Sequence, residues 1–531
     1  MHFVTLLIIG FSLLHSAASS AHADWSPTPF PAHEAHAPTP LPDRVILTWE
    51  SDPATTQSVT WRTDSSIKEA IAQIARASAN GRAMEPTTIQ ASTSRFESDI
   101  NTAHYHTAKF LNLEPDTLYA YRVGDGVNWS EYYHFKTASD EERPFSFIYF
   151  GDAQNDVRTH WSRVFREAIR DAPRAAFTLH AGDLIDIHDR DAEWGDWHQA
   201  PDWVNATVPI IATPGNHEYR RINQGPRFER FWMSNAGKPI EVILTAFEEI
   251  PTEAGKTYQI SAIDAKGNSG ALELNDGGVI IAASAGISDM TGFSNDQLLG
   301  SSYYRAPLAD RQRQPGDPAV SLHWRAQFAF PIQDVPQESL KETVYYIDYQ
   351  GTRFISLNSN EATESQIAWL RSTLENNPNT WTVVTFHHPM FSPATDRDNP
   401  KLREQWKPLL DEFKVDLVLN GHDHTYARTG QRDSDELLEN VPSGYQQAYD
   451  PAIGTVYVVS VSGPKMYKIT KGNFAKRTAE NTQLYQIVDI DKTVLRYRAY
   501  TANGELYDQF ELHKREEAPN LLMESVAPLP Q

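Results

Sequence analysis

Five short clusters hold the side chains of this sequence that could do chemistry: Gly151-Asp152-Ala153-Gln154, Gly182-Asp183-Leu184-Ile185-Asp186, Gly215-Asn216-His217-Glu218, His387-His388-Pro389 and Gly421-His422-Asp423-His424. Their donors are carboxylates, amides and imidazoles, a set that suits iron, zinc or manganese. The chain contains no cysteine, so a thiolate metal site and a disulfide framework are both excluded. Singly, each cluster has an ordinary reading, because Gly-Asp and Pro-Gly-Asn form turns and paired histidines can fill a core. Five sets of hard oxygen and nitrogen donors in one chain point instead to a shared metal site.

Each cluster follows an apolar run of strand length, at 145–150, 175–180, 208–212, 381–386 and 415–419. Clusters so placed belong at the carboxyl edge of an open α/β sheet, where such folds bind ligands. Helical stretches at 159–171, 364–376 and 401–413, with a further strand at 353–357, alternate with these runs and predict an α/β domain. Later β-prone segments at 456–461, 484–489, 494–500 and 505–512 are expected to complete a second sheet. Residues 229–321 break the rhythm with Gly, Ser and Asp and with β-prone runs of their own. They read as an insertion within a catalytic domain at 140–526, placed as a lid over the site.

Upstream, residues 43–139 alternate apolar and polar side chains between turns such as Gly124-Asp125-Gly126, which predicts a small all-β sandwich. Residues 24–42, rich in Pro, Ala and His, read as an extended linker in which His33 and His36 are solvated. The first 23 residues carry an apolar run, Phe3 to Leu14, and then Ala21-His22-Ala23, an A-x-A-like cleavage signal. This is a secretory signal peptide pattern that predicts a secreted or periplasmic protein. The run is too short to span a membrane.

At 531 residues the chain exceeds one ordinary core, and 40% apolar and 11% aromatic content supports several. Its formal charge of −22 argues against nucleic-acid binding, which recruits clustered Lys and Arg. Any phosphate handled here needs local positive charge, and bound metal is one source. Oligomeric state is not legible in these residues.

The ordered clusters resemble the metallophosphoesterase superfamily, and within it the purple acid phosphatase-like branch. The segment 111–119 is similar to the strand-connecting stretch of fibronectin type III modules. The resemblance implies an αββα two-sheet catalytic domain, an α/β fold preceded by the small β-sandwich. It implies two divalent or mixed-valence metal ions, iron, zinc or manganese: Asp152 and His424 at one, Asn216, His387 and His422 at the other, and Asp183 bridging. His217 falls at the family's catalytic histidine. The implied activity is hydrolysis of phosphate monoesters. Phosphodiester or nucleotide hydrolysis at the same site is the alternative, and a surface-binding module with a degenerate site is the reading from a different class.

A bridged pair of cations can grip phosphate oxygens and generate hydroxide near neutral pH, and His217 could protonate the departing alkoxide. One departure stands out: Asp186 occupies the position of the purple enzymes' iron-binding tyrosine. It is a substitute ligand, a helix-initiating residue or, the favoured reading, a partner to a ligand histidine. Gln154 is a further ligand candidate through its amide oxygen. Arg397 could pair with a phosphate oxygen or be an exposed loop residue. His388 faces substrate or fills its turn, and Tyr426 lines the pocket or packs.

Overall fold

The computed structural model describes residues 30–221, 318–431, 441–470 and 472–525, with parts of 228–303 between them. The first 23 residues, read above as a signal peptide, lie outside the described residues.

The first domain is a sandwich of two four-stranded antiparallel sheets. One runs in the order Asp43–Thr48, Gln57–Asp64, Thr102–Phe110, Ser92–Glu97, and the other Thr87–Gln90, Ile71–Arg76, Leu118–Gly124, Tyr133–Lys136. Strand Thr102–Phe110 shows why the two sheets pack. His106, Ala108 and Phe110 alternate on one buried face, and Ala108 and Phe110 join the core between the sheets, while Ala103 and Tyr105 are buried on the opposite face. Leu47, Val59, Trp61, Ala72, Phe110, Tyr121, Val123 and Phe135 form the core between them.

The second domain stacks two seven-stranded mixed sheets with helices outside. The first sheet orders Ile210–Ala212, Thr178–His180, Phe145–Phe150, Leu484–Asp491, Val494–Thr501, Leu506–Arg515, Ala518–Glu524. The second orders Tyr345–Tyr349, Thr352–Ser356, Trp381–Thr385, Leu417–Asn420, Val456–Val459, Tyr426–Arg428, Arg477–Ala479. Aromatic rings fill the gap between the sheets: Phe147 stacks on Phe177 at 5.1 Å, and Phe354 of the second sheet meets them edge-on at 5.2 and 5.0 Å. Helix Ser162–Asp171 covers the first sheet through Phe165, stacked on Phe150 at 5.3 Å. Helices Gln366–Glu375 and Pro400–Glu412 bury Leu370, Trp406, Leu409 and Leu410 against the second. The parallel strands in each sheet are buried on both faces, so their sequences are continuous apolar runs.

Three expectations change. The late β segments complete both sheets rather than the second alone: Val456–Val459 joins the second, while Leu484–Asp491 pairs antiparallel with Phe145–Phe150 and continues the first. His36 is not solvated. It is 7% exposed, its ring lies against Gly195, where a Cβ would approach to 2.2 Å, and its carbonyl accepts from Arg62. The 24–42 stretch is not extended throughout either, since Ala32–Ala35 makes one helical turn. The insertion has its own six-stranded antiparallel sheet among the described residues, with the hairpin Pro239–Thr252 and Gly255–Ile263 at its centre. Its flanks pair with each other, Tyr219–Arg221 with Pro318–Val320, so the chain departs and returns immediately beyond His217 and Glu218.

Candidate metal centre

All five clusters lie at the carboxyl ends of strands. Asp152 follows Phe145–Phe150, Asp183 follows Thr178–His180, and Asn216 and His217 follow Ile210–Ala212. His387 follows Trp381–Thr385, and His422 and His424 follow Leu417–Asn420. The backbone makes abrupt turns there. Asp183, His422 and His424 hold left-handed conformations, with φ of 52, 76 and 42°. For residues with a Cβ such geometry costs of order 1–3 kcal/mol and persists where the surroundings impose it. Gly215 serves close approach: a Cβ on it would sit 2.1 Å from the Asp183 carboxylate.

The donors fall into two groups that share one member. Asp183, His387 and His422 offer donor atoms within 4.8 Å of one another, and so do Asp152, Asp183 and His424. His387 Nε2 is 3.1 Å from Asp183 Oδ2, 3.1 Å from Asn216 Oδ1 and 3.1 Å from His422 Nδ1. His424 Nε2 is 3.2 Å from Asp152 Oδ2. The remaining nitrogens of His387 and His424 donate to the carbonyls of Ala181 and Lys465, at 2.9 and 2.8 Å, which aims Nε2 of each ring inward.

Glu218 is the cluster residue to which the sequence assigned no role. Fully buried, it accepts the backbone N–H groups of Asp183, Leu184 and Gly215 at 2.9, 2.7 and 2.7 Å. One carboxylate thereby clamps the Asp183 turn to the Asn216 turn, and the His217 N–H closes the junction on Asp183 Oδ1 at 2.9 Å. Its place three residues beyond Gly215 was visible, but the partners it holds come from another loop.

The electrostatics are unbalanced. Asp152, Asp183 and Glu218 are all buried, and among the described residues no Lys or Arg bonds to any of them. Burial, reinforced by the Asp183 charge, pushes Asp152 up to about 7 and Glu218 up to about 7. Burial alone would lower His387, but the charges of Asp183 and Asp152 raise it to about 9. Asp152 Oδ2 and Gln154 Oε1 are buried with no hydrogen-bond partner. Buried charge of this kind is stable when paired or when it coordinates metal, and the donor set fits a pair of cations.

Around these groups the other predicted residues take clear positions. His217 Nδ1 donates to the Asp186 carbonyl at 2.5 Å, with the Asp186 carboxylate at 3.5 Å. Asp186 thus attends His217 rather than an imidazole of the two donor groups. Arg397 donates through Nε to Asp423 and through Nη2 to the His422 carbonyl, at 3.1 and 2.8 Å, which braces the loop bearing His422 and His424. His388 bonds Ser359 Oγ through Nδ1 at 2.8 Å, and its ring lies 4.2 Å from that of His422. Tyr426 is a packing residue whose buried hydroxyl donates to Asp508 at 2.7 Å. Tyr467, also unanticipated, places its ring 4.6 Å from His424.

Comparison with known proteins agrees with this architecture. A model of the purple acid phosphatase N-terminal domain matches residues 42–137, and a model of calcineurin-like phosphoesterases matches residues 145–426. The chain belongs to the calcineurin-like phosphoesterases. Within that family it is purple acid phosphatase-like. This calcineurin-like chain is 25% identical over 400 residues to an uncharacterized protein of Mycobacterium tuberculosis, an alignment covering 70% of the chain and 59% of the relative. The chain therefore spans less than two thirds of that relative's length. Purple acid phosphatase 15 of Arabidopsis thaliana is 28% identical over 155 residues, 28% of this chain and 26% of that one. Among solved structures, purple acid phosphatase PPD1 from yellow lupin aligns with a TM-score of 0.59 at 16% identity, over 90% of this chain and 75% of its own. PhoD aligns with a TM-score of 0.53 at 12% identity, over 93% of each chain. These two likenesses concern the fold.

Proposed function

We propose that this calcineurin-like protein hydrolyses phosphate monoesters with the help of two metal ions. The observation that carries the reading is the double membership of Asp183, whose carboxylate belongs to both donor groups. Asp152 and His424 would hold one ion, Asn216, His387 and His422 the other, and Asp183 would bridge. When bound, such a pair supplies positive charge to phosphate oxygens and acidifies water.

The chain's own groups do the rest. Glu218 fixes the two turns, so the ligands are positioned before substrate arrives. His217 spends Nδ1 on the Asp186 carbonyl, so its Nε2 is the nitrogen that can carry a proton to the leaving oxygen. As water attacks phosphorus in line and the P–O ester bond breaks, that proton goes to the departing alkoxide. Asp186 keeps the ring oriented and its Nδ1 protonated. Arg397 and Asp423 stiffen the His422–His424 loop.

Purified protein offered p-nitrophenyl phosphate and bis(p-nitrophenyl) phosphate should turn over the monoester faster and stop when chelator is added. Turnover that persists in chelator would remove the metal reading. A preference for the diester would move the function to phosphodiester hydrolysis, and absence of both turnover and metal would leave a binding module. We also propose export, on the strength of the N-terminal apolar run and Ala21-His22-Ala23. N-terminal sequencing of the mature protein should begin near Asp24.

A further inference from the structure

A cavity of about 340 Å³ opens where the N-terminal turn, the sandwich and the catalytic domain meet, and none of the metal-centre donors lines it. Arg44, Arg62, Glu131 and Tyr133 of the sandwich form its walls together with His198, Asp202 and Trp203 of the catalytic domain. That volume suits a small molecule. The guanidiniums there are already spent. Arg44 gives Nη1 and Nη2 to the Asp191 carboxylate at 2.6 and 2.9 Å, while Arg62 holds Asp43 at 2.8 and 2.7 Å and the His36 carbonyl at 3.1 Å. Glu131 and Asp202 are left over, since no Lys or Arg among the described residues pairs with either. Burial and the Glu131 and Asp202 charges push the Tyr133 phenol up, so both carboxylates converge on that ring. His198 adds a third acceptor. It is 6% exposed, its Nε2 donates to Gln327 Oε1 at 2.8 Å, and its Nδ1 is therefore a bare lone pair with no partner among the described residues. Trp203, in the same wall, is 57% exposed, so its ring is open to a ligand.

We propose that this cavity is a binding site for a protonated alkylamine. Such binding does not depend on the hydrolysis proposed above. Unfilled acceptors require a ligand that brings its own hydrogens, and unpaired carboxylates require positive charge. The indole ring completes the match, because its face attracts a cation within about 6 Å of its centre. A phosphate or carboxylate would meet Glu131 and Asp202 with like charge. A sugar would find few hydrogens for its own oxygens, since those of the guanidiniums are engaged. An alkylammonium meets every feature: its N–H groups have Glu131, Asp202 and His198 Nδ1 to bond, and its carbon chain has Trp203 and Tyr133 to lie against. The formal charge of −22 draws cations to the whole surface, and the ring and the buried imidazole make this place specific.

Isothermal titration calorimetry of the full chain as purified tests this, with cadaverine, spermidine and Nα-acetyl-lysine amide as probes, at physiological salt so that long-range attraction is screened. The wild type should bind at least one of these amines saturably, and tetramethylammonium, which has no N–H, more weakly. Trp203→Ala should weaken binding by roughly threefold or more, and a Glu131→Gln, Asp202→Asn double variant by roughly tenfold. These side chains are exposed, and asparagine tolerates the left-handed φ of 54° at position 202, so the variants should keep the wild-type urea midpoint. Tighter binding of the lysine derivative would name a peptide side chain as the ligand, and tighter binding of cadaverine or spermidine a free amine; either supports the site. No saturable binding of any amine would overturn the proposal. So would undiminished affinity in the variants, which would place the amine elsewhere on an acidic chain, equal affinity for tetramethylammonium, or binding of glucose in preference to the amines.

Discussion

Two clusters of buried carboxylates lie in this protein, and they are balanced in opposite ways. Where the sandwich meets the catalytic domain, Asp191 is 3% exposed and receives Arg44 at 2.6 and 2.9 Å and Arg62 at 3.3 Å, with His323 at 3.4 Å. Burial opposes its ionisation, yet the Arg44 and Arg62 charges hold its carboxyl well below the usual range. At the strand ends, Asp152, Asp183 and Glu218 are as deeply buried and no Lys or Arg among the described residues bonds to them; against burial, the His387 charge holds Asp183 low, while Asp152 and Glu218 are pushed up. A buried acid whose counter-charge comes from the chain is architecture. A cluster of buried acids that no Lys or Arg of the described residues reaches marks where something else binds.

Substitutions can break that contrast. The largest effect belongs to Asp183→Asn, which removes the shared carboxylate. Both ions should be lost in metal analysis, and kcat should fall on the order of 10³-fold, the rate equivalent of several kcal/mol. His217→Ala separates holding from chemistry, with about two ions per chain retained and kcat reduced by roughly 10²- to 10⁴-fold. If this variant hydrolysed monoesters normally, the proton would have to come from elsewhere.

At the balanced cluster the expectation reverses. Asp191→Ala leaves Arg44 buried without its partner, which should cost about 3–5 kcal/mol in urea unfolding while both ions stay bound. Loss of metal in that variant would show that the clusters are coupled. The smallest effect tests burial of a neutral base. His180 and His198 are held down to about 3 by burial. Below the ordinary histidine value of about 6.5 the unfolded chain gains protons that the folded chain refuses. Stability present at pH 7 should therefore decline as pH falls from 6.5 toward 3, by up to about 2 kcal/mol for each histidine at pH 5. A His180→Gln, His198→Gln double variant whose urea midpoint declined as steeply as the wild type's between pH 7 and 5 would contradict it.

Parts of this were legible from order along the chain. The parallel strands are short buried apolar runs punctuated by Gly-Asp, Pro-Gly-Asn, His-His or Gly-His, and that punctuation located every cluster. Within the sandwich, Thr102–Phe110 carries its strand character on His106, Ala108 and Phe110, with no Val or Ile to mark it in the sequence. His36 escaped because proline- and alanine-rich composition says nothing of a distant Gly195. Asp186 was recognised as a departure, yet the imidazole it serves could be identified only in three dimensions.

By itself the sequence determined which donors exist, that sulfur is not among them, and that each lies where an apolar run stops, because side-chain chemistry and periodicity are local properties. The tertiary structure alone decided that Asp183 stands in both donor groups, that Glu218 ties two loops together, and that Gln154 meets His424. Those are contacts between residues tens to hundreds of positions apart, and their distances follow from how two sheets stack rather than from any spacing along the chain.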